Sequence, residues 1–183
     1  MEKIFLKENL AIKDDIESLY NSAFPINERP PFDYFYKVFA RTNDSHIIGY
    51  YQDNQFVGFI HYVIYKDIIY IAYLAVKMDM RNMGYGSQIL HDIRQIYPDY
   101  TILLCFEEVE PTYLDYPNRV NRQSFYKRNG YIDNGLKTQE GDVIYQSAYN
   151  GFHRVNYQNY QQLFDLVYGY GASNNYLKLV KEY

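Results

Sequence analysis

Six consecutive residues, Arg81-Asn82-Met83-Gly84-Tyr85-Gly86, have the types and spacing to hold an anion on the main chain. They lie between an apolar run at 68–76 and a helical periodicity formed by Ile89, Leu90, Ile93, Ile96 and Tyr97, so they read as a strand-to-helix turn. A helix start presents unpaired N–H groups and partial positive charge, and glycine lets a phosphate approach without a Cβ in the way. Arg81 can add a charge-assisted contact. A Walker loop is excluded because Ser87-Gln88 follows Gly86 where Lys-Ser/Thr is required. A dinucleotide fingerprint is excluded because position 89 is Ile, not Gly. A tight turn that uses glycine only as architecture is the competing reading of these six residues.

The surrounding elements must position that turn. The helix after Gly86 is stopped by Pro98, and 101–106 returns to strand, so strand, crossover helix and strand imply a parallel pair. Upstream, 46–51, 56–65 and 68–76 read as three consecutive antiparallel strands, the first two joined by the turn-like Gln52-Asp53-Asn54-Gln55. They follow a short strand near 3–7 and a helix marked by Ile12, Ile16, Leu19, Tyr20 and Ala23. A Pro-rich loop at 25–31 and a second helix marked by Phe32, Phe35, Tyr36 and Phe39 complete the N-terminal part. Downstream, a loop at 108–117 precedes a helix over 118–129 that Gly130 ends. Residues 143–149 and 152–155 around Asn150-Gly151 read as a hairpin, and Tyr157, Tyr160, Leu163, Phe164, Val167 and Tyr168 mark a last amphipathic helix. The expectation is an α/β fold of the α+β type, with a mixed, mostly antiparallel sheet flanked by helices.

Composition narrows the class. The 183 residues fit one domain, taken as 1–156, with 157–183 as a C-terminal helical extension packed on it. There are 24 Tyr and 11 Phe and no Trp, so core and cleft must be built from rings, many of which also hydrogen-bond. The net charge is -4 with scattered basic residues, which argues against nucleic acid and mildly favours cationic partners. Cys105 is the only cysteine, so neither an intramolecular disulfide nor a multi-Cys zinc site can form; it reads as a buried strand thiol. No His-Glu-x-x-His spacing appears, and no metal is expected. The charged N-terminus and the shortness of the longest apolar run argue against a signal peptide, a membrane span or membrane partner, and for a cytoplasmic location.

Tyr73-Leu74-Ala75-Val76 followed by Arg81-Asn82-Met83-Gly84-Tyr85-Gly86-Ser87 resembles the acyl-CoA-binding motif of the GCN5-related N-acetyltransferases, whose signature is Gln/Arg-x-x-Gly-x-Gly/Ala. Phe125-Tyr126-Lys127-Arg128-Asn129-Gly130-Tyr131 resembles the later helix end and Gly-aromatic turn of the same family, and the order of elements over about 3–155 also fits it. The resemblance implies the GNAT acyl-CoA N-acyltransferase fold, with acetyl-CoA as cosubstrate and its pyrophosphate on residues 81–87. It implies main-chain N–H groups of Leu74, Ala75 and Val76 on the acyl carbonyl, and Tyr126 as general acid for the departing thiolate.

A phenol with its pKa near 10 is protonated at neutral pH and can donate. For a general base, Glu108 is the first candidate, at the end of the 101–106 strand; Glu107, Glu28 and His61 are others, and a water relay needs none of them. Asn121 and Arg122 open the Tyr126 helix and read as its solvated face, with contact to coenzyme A as the alternative. The expected activity is direct transfer of acetyl from acetyl-CoA to a primary amine of a small molecule or peptide. The alternative is a non-catalytic acyl-CoA-binding sensor or interaction domain. The aromatic C-terminal helix offers a surface for homodimerisation.

Overall fold

The computed structural model describes residues 1–40 and 42–182; Arg41, Tyr183 and the side chain of Phe39 lie outside the described residues. Strand β1 (Glu2–Phe5) is followed by helices α1 (Lys13–Ala23) and α2 (Phe32–Phe39). Strands β2 (Ser45–Gln52), β3 (Gln55–Tyr65) and β4 (Ile68–Val76) form an antiparallel run, where Asp53 and Asn54 both take positive φ in the β2–β3 turn. Helix α3 (Tyr85–Ile96) crosses to β5 (Thr101–Glu107), and α4 (Tyr116–Arg128) leads to β6 (Ile132–Glu140) and β7 (Val143–Asn150). The chain ends in α5 (Tyr157–Tyr168), α6 (Ala172–Tyr176) and β8 (Leu177–Lys181).

The eight strands form one sheet in the order β1-β2-β3-β4-β5-β7-β6-β8, and β4 with β5 is its one parallel pair among the described residues. The expected mixed, mostly antiparallel sheet with flanking helices is what the chain forms. Alternation along the strands feeds two cores. Tyr73, Ala75 and Leu103 face α1, α2 and α5, whereas Ile71, Ile102, Leu104 and Phe106 face α3 and α4.

One irregularity positions the site. The β3–β4 register passes from His61↔Tyr73 to Tyr62↔Ile71, so Ala72 is an extra residue on β4. The parallel ladder ends at the same level, at Ile71↔Leu104. A bulge bends its strand and raises the local twist. Beyond Ala72, β4 and β5 therefore run on unpaired with each other, to Val76 and Glu107, and leave a gap through the sheet.

Two expectations need correction. Residues 152–155 make no strand and the Asn150-Gly151 hairpin does not form, because β7 already has both edges occupied, by β5 and β6. Instead Val155 is pinned to Asn134, whose Oδ1 accepts from Val155 N–H at 2.7 Å and whose Nδ2 donates to Val155 C=O at 2.8 Å. The true hairpin is β6–β7, turning at Gly141 and Asp142. Secondly, the aromatic face of α5 is not a free surface: Tyr160, Leu163, Phe164 and Val167 are buried in the domain's own core. The segment from 157 also adds a strand, β8, paired to β6, and is not helical throughout.

Candidate functional site

A cleft of about 810 Å³ runs through the gap between β4 and β5 and joins the two faces of the sheet. On the α3 side it is lined by the glycine turn. Arg81 is extended, Asn82 has φ 63° and Gly84 has φ 85°, a left-handed conformation that glycine adopts without strain. Gly84 thus caps α3, which begins at Tyr85, slightly earlier than its periodicity suggests. The α3 ladder opens with Gln88 N–H donating to Gly84 C=O at 3.0 Å, so the amides of Tyr85, Gly86 and Ser87 precede it and point out of the helix start. Arg81 Nε donates to Val76 C=O at 3.2 Å, which ties the turn to the end of β4.

Gly86 has a second purpose. A Cβ there would fall 3.1 Å from Phe125 Cζ, so the missing side chain lets α4 dock against the start of α3. That docking places Tyr126 at the gap. Its ring is packed by Phe106, Phe125 and Tyr131 at centroid distances of 5.3, 5.2 and 6.0 Å. Burial pushes the Tyr126 phenol above its ordinary pKa, opposed by the charge of Arg122, and keeps it protonated. Its hydroxyl has no hydrogen-bond partner among the described residues.

Of the residues singled out from the sequence, Leu74, Ala75, Val76, Arg81, Asn82, Gly84, Tyr85, Gly86, Ser87 and Tyr126 all line this cleft. Met83 does not; its side chain is 61 % exposed at the outside of the turn. Glu108 does not either. Its Oε1 accepts from Lys137 Nζ at 2.6 Å and its Oε2 from the Tyr113 hydroxyl at 3.2 Å, so the carboxylate ties the 108–115 loop to β6. His61 is sealed in the core against Phe35, with Nε2 2.8 Å from Ser45 Oγ, and burial lowers its pKa to about 3. Glu107 lines the cleft but is ion-paired with Arg122.

The opposite mouth, on the α1 and α5 side, was not legible in the sequence apart from Glu28. Phe24, Glu28, Glu140, Tyr145 and Tyr168 line it. Tyr145 donates to Glu28 Oε2 at 2.7 Å, and Tyr160 donates to Glu140 Oε1 at 2.7 Å. Cys105 also lines the cleft, and burial raises its thiol pKa, so it stays protonated and unreactive. Among the described residues no group of three His, Cys, Asp or Glu side chains could hold a metal, and no helix is long and apolar enough to cross a membrane.

A bulged β4 parting from its parallel neighbour, with a positive-φ glycine turn at the head of the crossover helix, defines an acyltransferase-type α/β domain. The model for the acetyltransferase (GNAT) domain matches residues 43–133, which hold the turn and the Tyr126 helix, and the chain belongs to that family of acetyltransferases. Among solved structures, a GNAT-family acetyltransferase from Bacteroides thetaiotaomicron superposes with a TM-score of 0.71 at 21% identity, over 92% of this chain and 99% of that one. The aminoglycoside 6'-N-acetyltransferase of Enterococcus faecium gives 0.62 at 14% identity, over 85% and 100%. An aminoglycoside 6'-N-acetyltransferase complexed with coenzyme A gives 0.64 at 15%, again over 85% and 100%. At these identities the likeness is one of fold. No curated protein matches the chain in sequence.

Proposed function

We propose that the chain transfers acetyl from acetyl-CoA directly to a primary amine in a ternary complex. The observation that carries this reading is the single cleft that links the glycine turn on one face of the sheet to a carboxylate-bearing pocket on the other, through the β4–β5 gap. In this reading the pyrophosphate lies on the amides of residues 82–87, with Arg81 at their edge, and the pantetheine arm enters the gap. Lys77 N–H donates to Val57 C=O on β3, so by alternation the Ala75 N–H also faces β3, and it is the N–H groups of Leu74 and Val76 that face the gap beyond the bulge, meet the acyl oxygen and stabilise the charge that develops on it. Tyr126 donates its proton to the departing thiolate.

The acceptor enters by the Phe24, Glu28 and Glu140 mouth, where two carboxylates suit an amine that arrives as a cation. A small molecule or a peptide terminus both meet that description. Residues 1–156 carry the transferase domain in this proposal, and the segment from 157 completes the acceptor wall through Tyr168, with Tyr160 holding Glu140 from behind. Thermal denaturation with and without acetyl-CoA, and thiol release from acetyl-CoA with a panel of amines, test it together. Stabilisation by acetyl-CoA with thiol release by at least one amine supports the reading. Neither effect at acetyl-CoA well above a typical dissociation constant overturns it.

A further inference from the structure

Glu140 closes β6 at the acceptor mouth, and no step described so far uses it. Its Oε1 is held by the Tyr160 hydroxyl at 2.7 Å, and that hydroxyl is in turn 3.2 Å from the Tyr70 hydroxyl, so α5 and β4 together fix the carboxylate. Its Oε2 has no hydrogen-bond donor among the described residues. The titratable groups that face it are Glu28 from the turn after α1, Tyr70 from β4, Cys105 from β5, Tyr145 from β7, and Tyr160 and Tyr168 from α5. Burial holds the phenols and the thiol in their neutral forms, so Glu28 supplies the other charge, and it is negative. Neither Glu28 nor Glu140 has an ion-pair partner among the described residues. Among the described residues that line this end of the cleft there are therefore two carboxylates and no cation, whereas Arg81, Arg122 and Arg128 line its other end, at the glycine turn and α4.

We propose that Glu140 takes the proton from the acceptor's ammonium group, with Tyr160 positioning its carboxylate. The proposal rests on the acetyl-transfer reading above and supplies the base that reading lacks. The step balances. The ammonium gives one proton to Glu140, and the freed nitrogen lone pair forms the N–C bond to the thioester carbon while the carbonyl π pair moves to oxygen. As that pair returns, the C–S bond breaks and sulfur leaves with its electrons, taking the proton of Tyr126. The extra proton on the new amide nitrogen restores Tyr126 through water, and Glu140 releases its proton to solvent. Ammonium and thioester thus become amide, thiol and one free proton, with nothing oxidised or reduced.

The electrostatics agree with the geometry. Burial raises the Glu140 carboxyl from 4.5 to about 7; the Tyr160 hydrogen bond opposes this and the charge of Glu28 adds to it. A base works best when its pKa lies near the operating pH.

The test is the pH dependence of kcat for thiol release, using two amines of different basicity that the panel identifies, on the full chain. In the parent protein kcat should rise along a limb near pH 7 that is the same for both amines. Glu140→Gln should lower kcat by roughly 10²- to 10³-fold and abolish the limb, with stabilisation by acetyl-CoA retained. Glu28→Gln, which leaves Glu140 in place, should move the limb to lower pH. The proposal is overturned if Glu140→Gln keeps the limb with kcat within about threefold of the parent, or if Glu28→Gln leaves the limb where it was. Loss of acetyl-CoA stabilisation in the parent itself marks failure of the broader reading instead.

Discussion

A carboxylate kept basic by burial should weaken the fold that holds it, and Glu140→Gln measures this without any substrate. The Glu140 carboxyl stands at about 7 in the folded protein against 4.5 ordinarily. Between those values the folded state binds more protons than the unfolded chain, so stability falls as pH rises through the window and stays reduced above it. At about 1.4 kcal/mol for each tenfold change in proton affinity, the whole shift corresponds to roughly 3 kcal/mol. Solvent reaches Glu140 through the cleft, which reduces the expected cost to about 1–2 kcal/mol. Gln copies the neutral acid in shape and can still accept from Tyr160. The two proteins should therefore unfold alike in urea at about pH 4, and the variant should be the more stable by about 1–2 kcal/mol at about pH 8.5. The difference between them should appear between those two conditions. Equal stabilities at both pH values, or a variant weakened at both by the same amount, would refute the electrostatic reasoning and leave Glu140 an ordinary carboxylate.

Three further substitutions separate the parts of the site. Tyr126→Phe should lower kcat by about 10- to 100-fold with stabilisation by acetyl-CoA unchanged, which single-turnover thiol release alongside a melting curve will show. Gly86→Val puts a branched side chain where a Cβ already lies 3.1 Å from Phe125, so it should cost about 1–3 kcal/mol in urea and also weaken acetyl-CoA binding. A melting curve that does not move would contradict the α3–α4 docking described. Glu108→Gln loses the contact with Lys137 outside the cleft, so it should cost no more than about 1 kcal/mol and leave the pH profile of kcat intact.

The elements read correctly from sequence were those whose local pattern and tertiary environment agree. β3 and β4 are rich in β-branched and aromatic residues because both their faces are buried, and α3 repeats its apolar residues because one face packs on the sheet. β6 escaped because its inward positions are Asn134, Leu136 and Thr138, and Asn134 and Thr138 carry no strand-like hydrophobic signal. Asn134 is satisfied by Ser147 and Val155, partners 13 and 21 residues away, so only the folded chain makes it a strand residue. The same long-range bond explains why Asn150-Gly151 misled: its two-residue signal is outweighed by an edge already occupied and by the tie at Val155.

The site divides along the same line. The donor half proposed above is one stretch of chain, in which Arg81, Gly84 and Gly86 shape the main chain in a way that residue type largely dictates, so the turn is legible from spacing, and the resemblance of its context to a known motif assigned it a ligand. The acceptor half proposed above brings Glu28, Tyr70, Glu140, Tyr145 and Tyr168 together from separate elements, with Tyr160 behind Glu140, and no two neighbours in sequence announce it. Glu108 drew attention because it ends the strand beside the gap, yet the loop that follows turns its carboxylate onto Lys137. Glu140 has no motif around it in the sequence, and it is β7, α5 and the turn after α1 that enclose it. Residue type made either glutamate eligible as a base. Desolvation and the absence of a counter-ion discriminate between them, and both are properties of the assembled cleft.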